Sequence, residues 1–317
     1  MSAVTTMLYE IDPSITTPED IRNDPELSAS ADKVYAESHS GPRTIVPSSV
    51  CYLPFSHFMS KPQLEKYNSQ LLAQLTPTSL PKHKILSDRL LTDDNLGQIE
   101  FYFDVSNFSP YFAASPDKKY ATMLMMLQYP FSVGTIHIPP ANWQSGSKRT
   151  TSDDYPTIDP KYYEGVGGQI DFEIMKHSQA LAHRICETQP LKDILVRRVY
   201  PAEEIGSEPE DFAQWVTDAT ITDWHPVGTC AMGGKGGSGG VGAMGGREEQ
   251  ERAMREGYVC DSRLRVYGVK GLRVCDASVM PLQIAAHLQA TVYAIGEKGA
   301  EMCKEDWVGR SGEVVNG

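Results

Sequence analysis

The stretch "DWHPVGTCAMG", residues 223–233, decides how this chain is read. Pro226 fixes the backbone beside His225 and Gly228 permits a tight approach, so the imidazole is expected in a rigid turn rather than on a mobile tip. A held imidazole suits proton exchange near neutral pH, the task of an acid or base acting on an alcohol. A core or capping histidine is the commoner case for a lone residue of this type, so the segment needs a partner before it carries chemistry.

A second segment, "CDASVMPLQIAAHLQATVYAIGEKGAEM" (residues 275–302), offers one. Pro281 and a run of small residues lead to His287, and Thr291, Val292, Ala294, Ile295 and Ala300 then recur on one helical face. His287 is therefore expected at a helix entrance, where free amides make a positive end suited to an anionic ring oxygen or nitrogen. A plain polar residue near an N-cap satisfies the same segment. The two histidines act together only if the fold brings them together.

Composition narrows the setting. With 317 residues, 40% hydrophobic and 22% charged, the chain can bury a sizeable core in one large or two medium domains. Its formal net charge of -12 and lack of a Lys/Arg cluster argue against nucleic acid. The longest apolar run, near "MLMMLQY" (residues 123–129), is far short of the roughly 20 residues of a membrane helix, so no bilayer partner is expected. "MSAVTTMLYEIDPS" (residues 1–14) has neither a basic n-region nor an apolar h-region, which leaves a cytoplasmic location as the default. Six cysteines without a C-x-x-C argue against zinc or a disulfide framework and are read as mostly buried thiols; no metal is expected.

Along the chain, "TPEDIRNDPELSASADKVYAE" (17–37) predicts a helix capped by Thr17 or Asp20 and broken near Pro25. "KPQLEKYNSQLLAQL" (61–75) aligns Leu64, Tyr67, Leu71, Leu72 and Leu75 on one helical face. Three strand-like runs, "GQIEFYFDVS" (97–106), "YATMLMMLQYP" (120–130) and "VGTIHIPP" (133–140), are expected as neighbours in an antiparallel sheet. A long helix carrying Ile174, Leu181 and Ile185 follows, then a shorter one in "EPEDFAQWVTDAT" (208–220). "EEQERAMREG" (248–257) predicts a polar helix, "LRVCDASVM" (272–280) a buried strand, and Leu288 to about Cys303 a closing helix.

Taken in order, "DWHPVGTCAMG", "CDSRLRVYGVKGLRVCDASVMP" (260–281) and "AAHLQATVYAIGEKGAEM" (285–302) resemble the C-terminal signature of the glucose-methanol-choline (GMC) oxidoreductases, flavoproteins that oxidise alcohols and sugars. Looser similarity reaches back to about Thr17, through "DPELSASADKVYAESHSGPRT", "VGTIHI", "YPTIDPKYY" and "IDFEIMKHSQAL". The resemblance implies that His225 is the alcohol-facing acid/base and that His287 hydrogen-bonds the substrate oxygen. It implies FAD as cofactor, with Trp224, Asp276, Ala277, His287, Leu288 and Gln289 along it: Asp276 and Ala277 beside the diphosphate, His287, Leu288 and Gln289 along the isoalloxazine edge. It also implies a fold: an α+β chain whose residues 1–221 form mainly an antiparallel-sheet substrate domain flanked by helices, and whose residues 222–317 are the C-terminal part of an FAD-binding α/β domain. Val133 departs from the pattern, since relatives often carry arginine there.

"GGKGGSGGVGAMGG" (233–246) contains G-x-G-x-x-G at Gly234, Gly236 and Gly239, yet no strand pattern leads into it and the helix after it opens "REEQE", whose glutamates oppose a diphosphate. It reads as a loop inserted between two family motifs. The N-terminal Rossmann βαβ unit that grips the ADP half of FAD is therefore expected to be absent from this chain. Three functions stay open: an FAD-dependent oxidoreductase, or its C-terminal portion, moving a hydride from an alcohol CH–OH to flavin; a cofactor-free binding protein, lyase or cyclase using the histidines as an acid/base pair; and a chain that pairs with a separate flavin-binding half. The small-molecule substrate is an alcohol in the first of these.

Overall fold

The computed structural model describes residues 3–44, 48–74, 81–92, 95–137, 155–234 and 245–313. Its centre is an antiparallel sheet built from β1 (Ala3–Ile11), β2 (Ser48–Leu53), β3 (Ile99–Asp104), β4 (Tyr120–Leu127), β7 (Leu195–Tyr200) and β8 (Ile221–Thr222). The strand order is β2-β3-β4-β1-β7, and β8 pairs with the start of β1. A separate two-stranded ribbon joins β5 (Thr135–His137) to β6 (Thr157–Asp159).

The middle strands are buried on both faces because side chains alternate across a strand and each face has its own cover. Odd-numbered residues, among them Met7, Tyr9, Phe101, Met123 and Met125, join the main apolar core. Helices α3 (Lys61–Leu72) and α5 (Gly165–Cys186) supply its other side through Leu64, Leu71, Ile170 and Ile174. Even-numbered residues of these strands face the opposite way, and the register aligns Tyr52, Glu100, Met126 and Val4 in one row across the sheet, with Ile221 of β8 opposite Val4. From Glu100 to Ile221 is three strand spacings, roughly 14 Å. The turn that begins at Asp223 therefore leaves the sheet at the level of Glu100.

The remaining helices are α1 (Pro18–Asn23), α2 (Pro25–Ser38), α4 (Pro81–Thr92), α6 (Ala213–Ala219), α7 (Arg247–Arg255) and α8 (Gln289–Glu313). Thr17 caps α1 in a box closed by Asp20, and Pro25 opens α2, so the predicted break is real. On α3, Leu64, Tyr67 and Leu71 are buried but Leu72 turns outward, while Leu75 lies outside the described residues. α5 carries the expected apolar stripe, with Ile174 fully buried and Leu181 and Ile185 half-buried against the core. Asp171, buried on the same helix, accepts hydrogen bonds from the backbone N–H groups of Phe131 and Ser132, both at 2.8 Å, and so fixes the chain leaving β4.

Four expectations are corrected. The run at 133–140 does not join the main sheet; residues 135–137 pair with 157–159, because the turn clamped by Asp171 carries the chain away from β4. Residues 272–280 are not a buried strand: they form a single bridge, Arg265 with Arg273, then a 3-10 turn at Ala277–Val279, and Leu272 is exposed. An apolar run becomes a strand only with a ladder beside it, and one bridge is not a ladder. Of the cysteines only Cys186 and Cys260 are buried, Cys51, Cys275 and Cys303 being exposed; all six are free, as expected without a disulfide framework. Finally, "TTMLYEI" (5–11), passed over as a terminus, is most of β1, the strand with neighbours on both sides. Gly236 and Gly239 of the glycine tract lie outside the described residues, within which no helix is long and apolar enough to cross a membrane.

Candidate active site

β8 delivers the chain into the turn that holds His225. Trp224 adopts a left-handed backbone (φ 58°), rare for a bulky residue, and two hydrogen bonds hold it there. Trp224 N–H donates to Thr222 Oγ1 at 3.0 Å, and His225 N–H donates to Asp223 Oδ1 at 3.1 Å. Gly228 follows with φ 85°, and a Cβ on it would lie 3.4 Å from the Met280 carbonyl oxygen. That close approach is the joint between the two histidine segments. Beyond it, Cys230 N–H donates to Ser278 O (2.9 Å) and Met232 N–H to Val279 O (2.8 Å), so the His225 turn is bonded to the chain that leads to His287.

From Pro281 onward the second segment lies against the sheet. Leu282 and Ala285 pack on the main core, and Ala285 N–H donates to the Tyr129 hydroxyl at 3.1 Å. His287 then arrives over β3, its Nε2 2.9 Å from Glu100 Oε1 and its ring 6.4 Å from that of Tyr102. The His225 and His287 rings stand 5.4 Å apart, tilted by 37°. Two side chains 62 positions apart in sequence thus share one space. The space opens outward, with the His225 side chain 25% and the His287 side chain 51% exposed.

Each imidazole is backed by a buried carboxylate. Glu100 is fully buried and takes a second hydrogen bond from Gln128 Nε2 at 2.8 Å on its other oxygen. A buried carboxylate must be fully hydrogen-bonded or paired, and Gln128 with His287 meets that demand. The Tyr52 phenol also bonds to Glu100, and burial first, then that carboxylate, pushes its proton affinity up. Asp223 stands behind His225, its Oδ2 3.3 Å from Nδ1. Neither carboxylate was singled out in the sequence. Glu100 hides as the polar beat of an alternating strand, and its one signal is an acid inside "IEFYF"; Asp223 lies inside the quoted motif without a role.

The other expected site residues fall around this pair. Leu288 is buried at the mouth of α8, where its carbonyl accepts the Val292 N–H, and Gln289 is exposed as the first helical residue. Asp276 and Ala277 open the 3-10 turn whose carbonyls bond the His225 segment, and Asp276 Oδ1 caps Ser278 N–H at 2.8 Å. Trp224 stands with 74% of its surface exposed beside His225, and Val133 is exposed at the head of the ribbon.

A family model described as GMC oxidoreductase matches residues 144–296, which contain both histidine segments. Over these residues the chain is similar to the GMC oxidoreductases. Its similarity to the dehydrogenase mpl7 of Monascus purpureus is 26% identity over 96% of this chain and 46% of that protein. An FAD-dependent oxidoreductase of Chaetomium thermophilum superposes over 96% of this chain and 47% of its own, with a TM-score of 0.66 at 19% identity. A fungal aryl-alcohol oxidase does so over 97% and 47%, with a TM-score of 0.67 at 18% identity. These likenesses establish that the α+β chain with its antiparallel sheet shares the fold of these two proteins. The chain spans about half the length of these relatives.

Proposed function

We propose that this chain carries the alcohol-oxidising centre of an FAD-dependent GMC oxidoreductase, with residues 1–221 as its substrate-binding part and 222–317 as part of its flavin-binding fold. The observation that supports this best is the 5.4 Å approach of His225 and His287 at the mouth of α8, each backed by a buried carboxylate. The substrate is a small molecule bearing a CH–OH group. In the reaction the carbon loses a hydride, the hydroxyl oxygen loses a proton, and a carbonyl remains.

His225 takes the hydroxyl proton on a ring nitrogen not engaged by Asp223. His287 directs Nε2 at Glu100 and Nδ1 towards the shared space, so Glu100 fixes the ring beside the alcohol. Tyr102, its ring 6.4 Å from that of His287, gives the space an aromatic wall.

FAD, when bound, supplies the two-electron acceptor that takes the hydride. The residues on this side of the molecule fit such a group. α8, a long helix, ends in an exposed mouth at Gln289, and its free first-turn amides suit negative charge on a ring system. His287, Leu288 and Gln289 would hold the ring edge, Trp224 its face, and Asp276 with Ala277 the chain leading away. The dinucleotide grip belongs to the portion of the relatives that this chain does not span, either in a longer polypeptide or as a separate flavin-binding half. The unpartnered outer face of α8 is where that portion would pack.

The test is to titrate the purified chain with FAD, with and without the complementary flavin-binding portion of a relative, and then add alcohols. Flavin fluorescence reports binding, and bleaching of the flavin absorbance reports reduction. His225→Ala should bind flavin as the wild type does and lower the rate of bleaching by about 10²- to 10⁴-fold. A colourless protein that converts alcohols without flavin would overturn the redox reading.

A further inference from the structure

Asp223 presents a problem that the proposed function leaves open. Its side chain is 2% exposed, and its two oxygens are treated unequally. Oδ1 accepts the backbone N–H of His225, while Oδ2 is sealed from solvent and has no hydrogen bond of full geometry. An isolated buried carboxylate oxygen is costly, and each such case in a folded protein calls for an explanation. The group facing Oδ2 is Nδ1 of His225, 3.3 Å away. The Tyr162 phenol lies close enough to feel the Asp223 charge, but it bonds Thr222; burial pushes it up to about 12, so it stays neutral. His287, the other titratable group near the His225 ring, is held by Glu100 on the far side.

We propose that Asp223 is the positioning residue for His225: its Oδ2 keeps the proton of the neutral imidazole on Nδ1 and thereby leaves Nε2 bare to accept the proton of the substrate. The geometry supports this. The left-handed Trp224 curls the chain so that a carboxylate two residues back reaches the ring nitrogen nearest the backbone. Once Oδ1 is tied to His225 N–H, rotation of the carboxylate is restricted and Oδ2 has one direction to face. Contacts of this kind are often long in a ligand-free site and shorten when substrate aligns the ring. The two carboxylates then set opposite tautomers. Glu100 accepts from Nε2–H of His287 and Asp223 from Nδ1–H of His225, so the rings present different nitrogens to the space they share.

The inference rests on the alcohol-oxidising reading for its purpose but not for its test. The full chain, labelled with ¹⁵N, is followed by long-range ¹H–¹⁵N spectra of the imidazoles to the high-pH plateau, with His225 identified through its loss in His225→Gln. The expected result is a pyrrole-type Nδ1 and a pyridine-type Nε2 for His225. Asp223→Asn keeps the shape, but its amide oxygen stays on His225 N–H and its NH₂ must donate to Nδ1, so the two nitrogens exchange types. His287 should keep its own tautomer in that variant. A wild-type His225 protonated on Nε2 overturns the proposal, and this readout stands even if the variant does not fold. An Asp223→Asn spectrum identical to the wild type overturns it as well. Loss of the redox reading would instead appear as absent flavin binding with the tautomers as stated, so the two failures are distinguishable. In flavin-loaded protein, Asp223→Asn should lower kcat on the order of 10²-fold, since the wrong tautomer removes the base, with KM little changed.

Discussion

The two longest helices in the chain, α5 with 22 residues and α8 with 25, sit in opposite surroundings. α5 lies on the sheet and buries eleven residues, including the charged Asp171 and Lys176. Along residues 289–307 of α8, Gly299 alone is buried, Tyr293 is 69% exposed and the half-buried Val292 and Ile295 have solvent beside them. What fastens α8 is a set of ion pairs on one side, with Arg263 reaching Glu305 and Asp306 at 2.9 Å each and Arg273 reaching Asp306. The difference shows where the chain is self-sufficient. The α5 layer closes on itself, whereas α8 has one covered side among the described residues.

If that contrast is right, mutations in the α5 layer cost far more than mutations on α8, and the largest effect belongs to Asp171. Asp171→Ala leaves the backbone N–H groups of Phe131 and Ser132 without their acceptor and removes the Ser132 hydroxyl bond. The expected loss is about 3–5 kcal/mol of unfolding free energy, read from the urea midpoint. Ile174→Ala, which opens a hole in a fully buried position, should cost about 3 kcal/mol in the same measurement. Values below 1 kcal/mol at both sites would mean that α5 is no better packed than α8.

A third measurement uses pH. Burial pushes Asp171 up to about 6, against the hydrogen bonds from Phe131 and Ser132 that pull it down. Its unfolded value is about 4. The folded state therefore holds the proton more tightly, so the stability contributed by this group is complete below about pH 4 and is lost as pH rises through about 6. Wild type should lose stability relative to Asp171→Asn across that window. Glu10 and Asp20, held below the usual carboxylate range by lysine partners, slope the other way but are common to both proteins and cancel in the difference. Parallel curves would show that Asp171 does not titrate there.

The same contrast explains what the sequence revealed. Helical periodicity exposed α3 and α5 because each has one side on the core and one in water, alternation exposed β3, and β4 stood out as an apolar run. The histidine pair was readable because Pro226, Gly228 and Pro281 mark rigid turns, and the order of motifs supplied the rest. Their 5.4 Å contact itself depends on backbone bonds between Cys230 and Ser278 and between Met232 and Val279, which leave no trace in side-chain type. β1 was missed because "AVTTMLYEI" is buried on both faces and shows no apolar-polar alternation. Residues 272–280 were misread for the converse reason, an apolar run without a ladder. Glu100 and Asp223 escaped because a carboxylate on a strand or in a turn is ordinarily solvated; only the register, which aligns Glu100 with Ile221, makes them neighbours of the pair.

The smallest effect sharpens the comparison most. Tyr293→Ser on α8 should change the stability of this chain by less than about 0.5 kcal/mol, because a side chain with most of its surface in water has little burial to lose and the ion pairs to Arg263 and Arg273 remain. The residue lies one turn inside the helix whose mouth carries His287, Leu288 and Gln289. A cost above 1.5 kcal/mol would mean that α8 is covered within this chain and that the two helices are not different in kind. A null effect here, joined to weaker binding of the complementary flavin portion by the same variant, would mark the outer face of α8 as the surface on which the rest of the fold closes. Exposure alone cannot separate an idle helix from one awaiting its layer, but one substitution measured in both settings does.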